Sequence, residues 1–600
     1  MDNAQDSTDH LTKLRHSSAH VLAQAVVDLF PTAKLGIGPP IPDGFYYDFD
    51  LQNHLTAEDI ERVEQHMRDI IATNEPFVRS EISEATARTL FAEQPYKLDL
   101  IDGIVSRRED EDGHEQDEAT TISSYASGSF VDLCRGPHLT STAGINPDAL
   151  KLLHTAAAYW RGDEKRPTLQ RVYGTVWDSP EELRAYLALQ DEIKLRDHRR
   201  IGQELGLFTF SPEVGKGLPI WLPAGTAIRD ELEQWAKHTE RKWGYQRIAT
   251  PHITRAELYR TSGHLPYYQD DLYAPIDIEG EAYYLKPMNC PHHHMAFKSE
   301  MHSYRDLPIR YAEYGTVYRY ERSGQLHGLM RTRGFTQNDA HIYCTFEQAR
   351  EEFMSVMRMH EQYYDALGLH SIELRVALRD PKHPEKYHGD EEMWETAERI
   401  TREVADASGF PVADDIGGAA HYGPKLDIVI RSVTGKEFAA STCQLDLYMP
   451  KRFELTYIDP SGKAQYVVVL HRAPLGSHER FVAFLTEQFR GAFPAWLAPR
   501  QVRVIPIGEN FADYARSVRD VLFDDGYRVD LDDSNEAMGK RIRAAEVLKI
   551  PYMLVVGRRE AESESVSVRL RGGSDLGSLS LGDFRALLQL VVGEKRLALS

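Results

Sequence analysis

The sequence predicts a multidomain protein of mixed α+β and α/β class, on three observations. Its 600 residues are too many for one hydrophobic core, so three or four domains are expected. From Pro499 onward, strand-like and helix-like stretches alternate regularly, the pattern of a small α/β domain. Before that point aromatic-rich strands and helices mix without regular alternation, as in α+β domains.

Taken in order, "LTKLRHSSAHVLAQAVVDLF" (11–30) has apolar residues at helical spacing, and "GFYYDFDL" reads as a strand. The stretch "TAEDIERVEQHMRDIIATN" predicts a helix with Thr56 as N-cap and Asp59 as its reciprocal partner. The acidic "REDEDGHEQDE" (108–118) reads as a solvated turn between strands. Residues 1–178 form the expected first domain. "SPEELRAYLALQDEIKLRDHRRIGQEL" (179–205) predicts one long connecting helix capped by Ser179 with Pro180 in the first turn. A middle domain is expected over 206–497 and a last one over 498–600. In the last, "QVRVIPI", "YRVDLD" and "IPYMLVVG" are strands, separated by the helices "NFADYARSVRDVLFDDG" and "NEAMGKRIRAAEVLK".

Composition excludes several classes. A 42% hydrophobic, 27% charged mixture is ordinary for a globular chain, and apolar runs such as "YVVVL" stop far short of a membrane span. The acidic start "MDNAQDSTDH" is neither signal nor transit peptide, and four scattered cysteines make no disulfide framework; a cytoplasmic location is expected. The net charge of −22 excludes a general nucleic-acid coat protein but not a local basic face. "KLRDHRR" (194–200) and "GKRIRAAEVLK" (539–549) each carry four basic residues against one acid, which also suits a solvated helix face.

In "YLKPMNCPHHHMAF" (284–297) Cys290 stands two places ahead of three histidines, with no second cysteine near it. A metal ligand, a nucleophile and a small buried residue all remain open on these residues alone. No P-loop or G-x-G-x-x-G fingerprint occurs, so any nucleotide must be held by side chains. "YGTVYRYERSGQLHGLMRTRGFTQNDAHIYC" (314–344) reads as a strand to Arg319, a turn, and a return carrying Arg331 and Arg333. Such a hairpin can clamp phosphate or simply display surface arginines. His16 and His20, four apart, share a helical face opposite the stripe of Leu11, Leu14, Leu22 and Leu29, which disfavours burial in a core. Cys134 and His138 have the same spacing.

With "LGSHERF" (475–481) placing Arg480 at a strand-to-helix junction, the arginine hairpin and "GYQRIATP" (244–251) resemble the three signature motifs of class II aminoacyl-tRNA synthetases. "KPMNC", "GLMRTRGFTQNDAHIYC", "YGPKLD", "QLD" and "HRAPLGSHERF" are similar to the threonyl-tRNA synthetase family. So are "RHSSAH", "GFYYD", "VDLCRGPHL" and "AYWRGD" in the first region. The resemblance runs from about residue 10 to the end. It implies a class II antiparallel-sheet catalytic core, an N-terminal α+β editing domain and a C-terminal α/β anticodon-binding domain. The family's extra N-terminal ubiquitin-like domain is expected to be missing.

The resemblance further implies one zinc per subunit on Cys290, His341 and His471, with an open coordination position. Asp339 would grip the substrate amino group beside Gln337 and Tyr422. Arg319 would hold the α-phosphate, Glu321 the adenine edge, and Arg331, Gln444 and Arg480 the rest of ATP with Mg²⁺. His16, His20, Lys97, Asp132, Cys134 and His138 would line the editing pocket, where four Cys/His groups could alternatively bind metal. Asn535, Arg543, Glu560 and Arg569 would read the anticodon of tRNA(Thr). L-threonine, ATP and tRNA(Thr) are the implied partners, in a homodimer without membrane attachment. The chain departs from the family at His292, where glycine is usual, at Ala439, where glutamine is frequent, and at Lys549, where arginine is common.

A zinc that requires the substrate hydroxyl rejects valine, whereas serine loses only a methyl group, worth about 1–3 kcal/mol. A second, hydrolytic site therefore becomes necessary. Three rivals are weaker. An RNA-binding regulator derived from such an enzyme would be free to lose Arg319, Arg480 or a zinc ligand, and none is lost. A metallohydrolase built on "HSSAH" needs glutamate where Ser17 stands. A proline or serine synthetase lacks a reason for the distant Cys/His/His set.

Overall fold

The structure, a computed structural model, describes the backbone of residues 2–105, 122–267 and 269–600. The acidic stretch 108–118, read as a solvated turn, lies outside the described residues. The chain divides into two compact units, 1–191 and 192–600.

In the first unit the long helix Asp2–Leu29 buries Leu14, Val21, Leu22, Ala25 and Val26 in a core with the strand Gly44–Asp50. That strand pairs with Thr168–Val176, which pairs with Leu150–Tyr159. Thr56 and Asp59 form the expected reciprocal cap on the helix Ala57–Ala72. A separate three-stranded sheet joins Val78–Glu81, Ser123–Ser127 and Phe130–Leu133. Its last strand delivers Asp132 and, just beyond, Cys134.

The predicted connecting helix is two helices, Pro180–Arg196 and His198–Leu205, because the Asp197 side chain caps a second start by accepting from the Arg199 amide. Ser179 does cap the first, accepting from the Glu182 amide. The basic run here is already engaged: Arg196 donates to the Glu487 and Gln488 carbonyls, and Arg199 and Arg200 pair with Asp197 and Glu204.

The second unit is built on an eight-stranded sheet. In spatial order its strands are Gln246–Arg247, Ile309–Tyr318, Gly334–Cys344, Val468–Arg472, Glu437–Asp446, Lys425–Arg431, Ile372–Leu378 and Val412–Ile416. Only the two outermost pairings are parallel. Alternation decides what each face does. Ala340, Ile342, Cys344, Leu470, Leu426 and Cys443 point into a core shared with the helices Pro223–Lys242, Phe346–Ala366 and His478–Gln488. Two of the four cysteines are thus ordinary small hydrophobes. The intervening residues face the other way, and they carry the chemistry.

Beyond it, a five-stranded sheet runs Val529–Leu531, Val502–Pro506, Tyr552–Val556, Ser565–Leu570, Asp575–Ser580, the first three parallel. Helices Ala512–Asp524 and Met538–Val547 fall where alternation predicted them.

Candidate functional site

Strand register assembles the central site from residues far apart in sequence. On Gly334–Cys344 the alternate residues Gln337, Asp339 and His341 share a face. His341 lies opposite His471, and His471 opposite Gln444. Across the other edge Asp339 lies opposite Glu313, and Gln337 opposite Gly315. Gly315 has to be glycine, since a Cβ there would sit 2.2 Å from the Asn289 side chain. Asn289 in turn donates to Asp339 Oδ2 at 3.1 Å.

The helix Cys290–Lys298 lies over this face and closes a three-donor cluster. One ligand atom each from Cys290, His341 and His471 falls within 4.8 Å of the others. His471 Nε2 donates to Asp446 Oδ2 at 3.0 Å, leaving Nδ1 with its lone pair. His341 Nδ1 meets His293 at 2.9 Å, while its Nε2 is buried without a hydrogen-bond partner. A buried imidazole nitrogen left over beside a thiol is costly unless a cation takes it. The residues therefore fit zinc. Without a cation, burial and then the nearby Asp339 raise the Cys290 thiol pKa, and burial drives that of His341 well below its usual value. Tyr422, whose ring centroid is 5.4 Å from that of His471, donates to Gln444 Oε1.

A cavity of about 570 Å³ adjoins the cluster, lined by Arg319, Glu321, Arg331, Gln337, Phe335 and Arg480 among others. Arg319 Nε donates to the Pro287 carbonyl at 3.2 Å, and its guanidinium lies over Phe335. Burial lowers the pKa of Arg319 and of Arg480, the latter further disfavoured by Arg331; Arg319 is half-buried and Arg480 stays exposed, so both can meet an anion in the cavity. Glu321 Oε2 accepts from Arg331 Nε at 2.8 Å. Gln444 is not among the residues lining this cavity, and its side-chain oxygen accepts from Tyr422. Ala439 does line it, so the missing glutamine leaves open space there.

In the first unit, a pocket of about 330 Å³ is lined by His16, His20, Lys97, Asp132, Cys134 and Tyr47 among others. Lys97, only 2% exposed, pairs with Asp132 at 2.6 Å and donates to Tyr47 Oη at 2.9 Å, and Tyr47 donates to Asp132 Oδ2 at 2.5 Å. Sequence reasoning missed Tyr47, although its inward parity on a half-buried strand was readable. His20 is not the surface residue its helical wheel suggested. It is 3% exposed, packed edge-on against Phe77 and Phe130, and its burial brings the pKa down to about 4. The helix is covered on both faces, which a wheel cannot reveal.

Cys134 Sγ lies 3.2 Å from both His16 Nε2 and His138 Nε2. His16 Nδ1 faces the Pro137 carbonyl, to which it donates, and His138 Nδ1 faces Ser17 Oγ. Burial raises the Cys134 thiol pKa to about 11 and lowers that of His138 to about 2, so this cluster is uncharged near neutrality. His138 is not among the residues lining the pocket, but it packs against three that are, Cys134, His16 and His20.

In the last domain Asn535 and Glu560 follow the C-terminal ends of parallel strands, and Arg543 is exposed on the Met538–Val547 helix. Glu560 accepts from the Gly557 amide, and Arg569 Nε is buried without a partner. In the basic run, Lys540 pairs with Glu536 and Arg541 donates to the Asp532 carbonyl.

An antiparallel sheet with one arginine at a hairpin and another at a following helix, both lining one cavity, defines a class II aminoacyl-tRNA synthetase core. Residues 273–489 match the model for the tRNA synthetase class II core domain (G, H, P, S and T). Residues 501–590 match an anticodon binding domain, and 122–173 the threonyl and alanyl tRNA synthetase second additional domain. The chain is 46% identical over 595 residues to the threonine--tRNA ligase of Geobacillus kaustophilus (strain HTA426), covering 99% of this chain and 89% of that one. It is 45% identical over 588 residues to that of Dehalococcoides mccartyi (strain CBDB1), covering 98% and 97%. A crystal structure titled as the RNA binding domain of threonyl-tRNA synthetase from Cryptosporidium parvum Iowa II superposes with a TM-score of 0.63 at 36% identity, covering 67% of this chain and 99% of that one. The chain belongs to the threonine--tRNA ligase family.

Proposed function

We propose that this enzyme joins L-threonine to tRNA(Thr) through threonyl-adenylate, selects threonine at a zinc, and hydrolyses seryl-tRNA(Thr) in its first domain. The observation that carries the zinc reading is the buried, unpartnered His341 Nε2 converging with Cys290 and His471 beside the arginine-lined cavity. When bound, the metal supplies a Lewis-acid contact that demands both the amino group and the hydroxyl of the substrate. Asp339 holds the amino group, with Gln337 and Tyr422 beside it. Arg319 stabilises charge at the α-phosphate as the carboxylate attacks, while Arg331, Arg480 and Mg²⁺ hold the leaving phosphates and Glu321 the adenine edge.

A pocket that recognises a hydroxyl cannot strongly reject serine. We assign hydrolysis of the mischarged ester to the first-domain pocket, with His16 and His20 positioning or deprotonating a water and Lys97 and Asp132 assisting. Asn535, Arg543, Glu560 and Arg569 read the anticodon. Domains at 1–178, 206–497 and 498–600, with a connecting segment at 179–205, complete this reading. So does an isologous homodimer paired through the "GYQRIATP" segment and working in the cytoplasm. Among the described residues no helix is long and apolar enough to cross a membrane. ATP–pyrophosphate exchange run across all amino acids tests activation: it should respond to threonine, weakly to serine and not to valine. Equal exchange with another amino acid would overturn the assignment.

A further inference from the structure

Histidines 292–294 fall in one short helix and are all buried, yet their surroundings differ. Both ring nitrogens of His292 are buried without a partner. His294 Nδ1 meets the Tyr343 hydroxyl at 3.1 Å. His293 alone bridges two other polar side chains: its Nε2 is 3.2 Å from Glu313 Oε2, and its Nδ1 is 2.9 Å from His341 Nδ1.

Hydrogen-bond polarity and the zinc reading together fix the direction of this chain. Glu313 is surrounded by donors: the Thr250 amide at 2.8 Å, the Thr250 hydroxyl at 2.9 Å, and the Lys286 ammonium at 3.7 Å. Although burial alone would raise its pKa, the bond from His293 and those donors hold Glu313 at about 2. An ionised carboxylate only accepts, so His293 Nε2 carries the proton and donates. The two Nδ1 atoms, 2.9 Å apart, share one proton, and the zinc reading, which needs the lone pair of the unpartnered His341 Nε2, places that proton on His341 Nδ1, with His293 Nδ1 accepting it. That Nε2 is the buried atom beside Cys290 and His471. The other imidazole of the site is set more directly, by Asp446 on His471 Nε2.

We propose that Glu313 and His293 form a two-step tautomer relay that presents His341 Nε2 to the metal, making both positioning residues for the zinc site. Ligating histidines commonly give their other nitrogen to a carboxylate or carbonyl. Here a second imidazole is interposed, so the carboxylate acts at one remove. This rests on the zinc reading above.

The test is zinc affinity, measured by chelator competition on the full chain, with the absorption of the cobalt-substituted protein as a readout of coordination. His293→Ala should still bind zinc when it is supplied in excess, but with affinity reduced about 10- to 100-fold and an altered cobalt spectrum. His293→Asn places an amide oxygen where Nδ1 was, accepts from His341 whatever Glu313 does, and should stay within about threefold of the unchanged protein. Glu313→Gln should weaken zinc about tenfold alone and have no further effect in the His293→Asn background. His292→Ala should leave affinity unchanged. Equal affinity in His293→Ala, independent effects of Glu313→Gln and His293→Asn, or a loss in His292→Ala as large as in His293→Ala would each overturn the relay. Failure of the unchanged protein to bind one zinc, or retention of zinc by His341→Ala, would instead overturn the site itself.

Discussion

Two clusters in this protein have the same three donors, one cysteine and two histidines, and end in opposite states. Around Cys134 every hydrogen bond closes with consistent polarity. The Leu139 amide donates to Ser17 Oγ, Ser17 to His138 Nδ1, His138 Nε2 to the sulfur, the thiol to His16 Nε2, and His16 Nδ1 to the Pro137 carbonyl. The Gly136 amide adds a further donor to the sulfur, and each imidazole lone pair has a proton to accept. Around Cys290 the outer partners push both imidazole lone pairs inward, and the last of them has nothing to accept from. By distance alone either trio could hold a metal ion, so composition and spacing do not tell them apart. The fate of the final lone pair is what favours a metal at the second.

The largest expected effect breaks one cluster and spares the other. His341→Ala should lose zinc, and threonine activation should fall by about 10³-fold or more, the scale on which removing a preorganised electrostatic contact acts. His138→Ala should keep both. Metal analysis with ATP–pyrophosphate exchange on the two variants checks this, and zinc lost from the His138 variant would show that the clusters are not opposite in kind.

Next in size is the reverse separation. Replacing His16 and His20 by alanine should slow hydrolysis of preformed seryl-tRNA(Thr) by about 10²-fold, the scale of general acid–base assistance, while threonylation persists. Equal deacylation by variant and unchanged protein would move the hydrolytic chemistry elsewhere.

Protons sharpen the comparison further. His20 has a folded pKa of about 4 against an ordinary 6.5, so the unfolded chain binds more protons between those values. Its depressed pKa contributes stability that is complete above pH 6.5 and is lost as the pH falls toward 4. At pH 5 the loss is about 2 kcal/mol, roughly thirtyfold in an opening equilibrium. Amide exchange of the 1–191 unit should therefore accelerate between pH 7 and pH 5, and His20→Phe should remove about half of that dependence or less, since His138, lowered to about 2, carries a share at least as large. An unchanged pH response in the variant would contradict the burial of a neutral imidazole.

Much of this was legible in the chain. The caps at Thr56 and Ser179 and the alternation after Pro499 are local signals, and local signals survived folding. What failed was environmental. The wheel placed His20 on an outer face because it cannot register a second layer packed there. One helix became two because a single side chain at Asp197 caps a new start inside a helical pattern. His341 and His471 came together by strand register and Cys290 by the helix laid over that face, across some 180 residues, which only the family resemblance could anticipate. Tyr47 and His293 fall inside quoted stretches, "GFYYD" and the histidine run, and Glu313 in none, but the roles of all three exist only as contacts.

The smallest effect is the most discriminating, because one substitution is made in both clusters. A serine at 134 keeps what the ring asks of the thiol: it donates to His16 Nε2 and accepts from His138 Nε2 and from the Gly136 amide, which now reaches the sulfur at 3.3 Å. Its shorter bond to Cβ and smaller oxygen lengthen those contacts, which loosens the ring without changing its polarity. Cys134→Ser should therefore slow seryl-tRNA(Thr) hydrolysis only about threefold, since a neutral hydrogen bond contributes about 1 kcal/mol. Metal content and threonine activation should not move. At 290 the same exchange removes a thiolate ligand that an alcohol does not replace at neutral pH, so Cys290→Ser should lose zinc and threonine activation together. Deacylation kinetics and metal analysis on the two serine variants decide the matter. If Cys134→Ser abolished hydrolysis while the fold was intact, the sulfur would be acting through its own chemistry, as nucleophile or as ligand. The first cluster would then resemble the second after all.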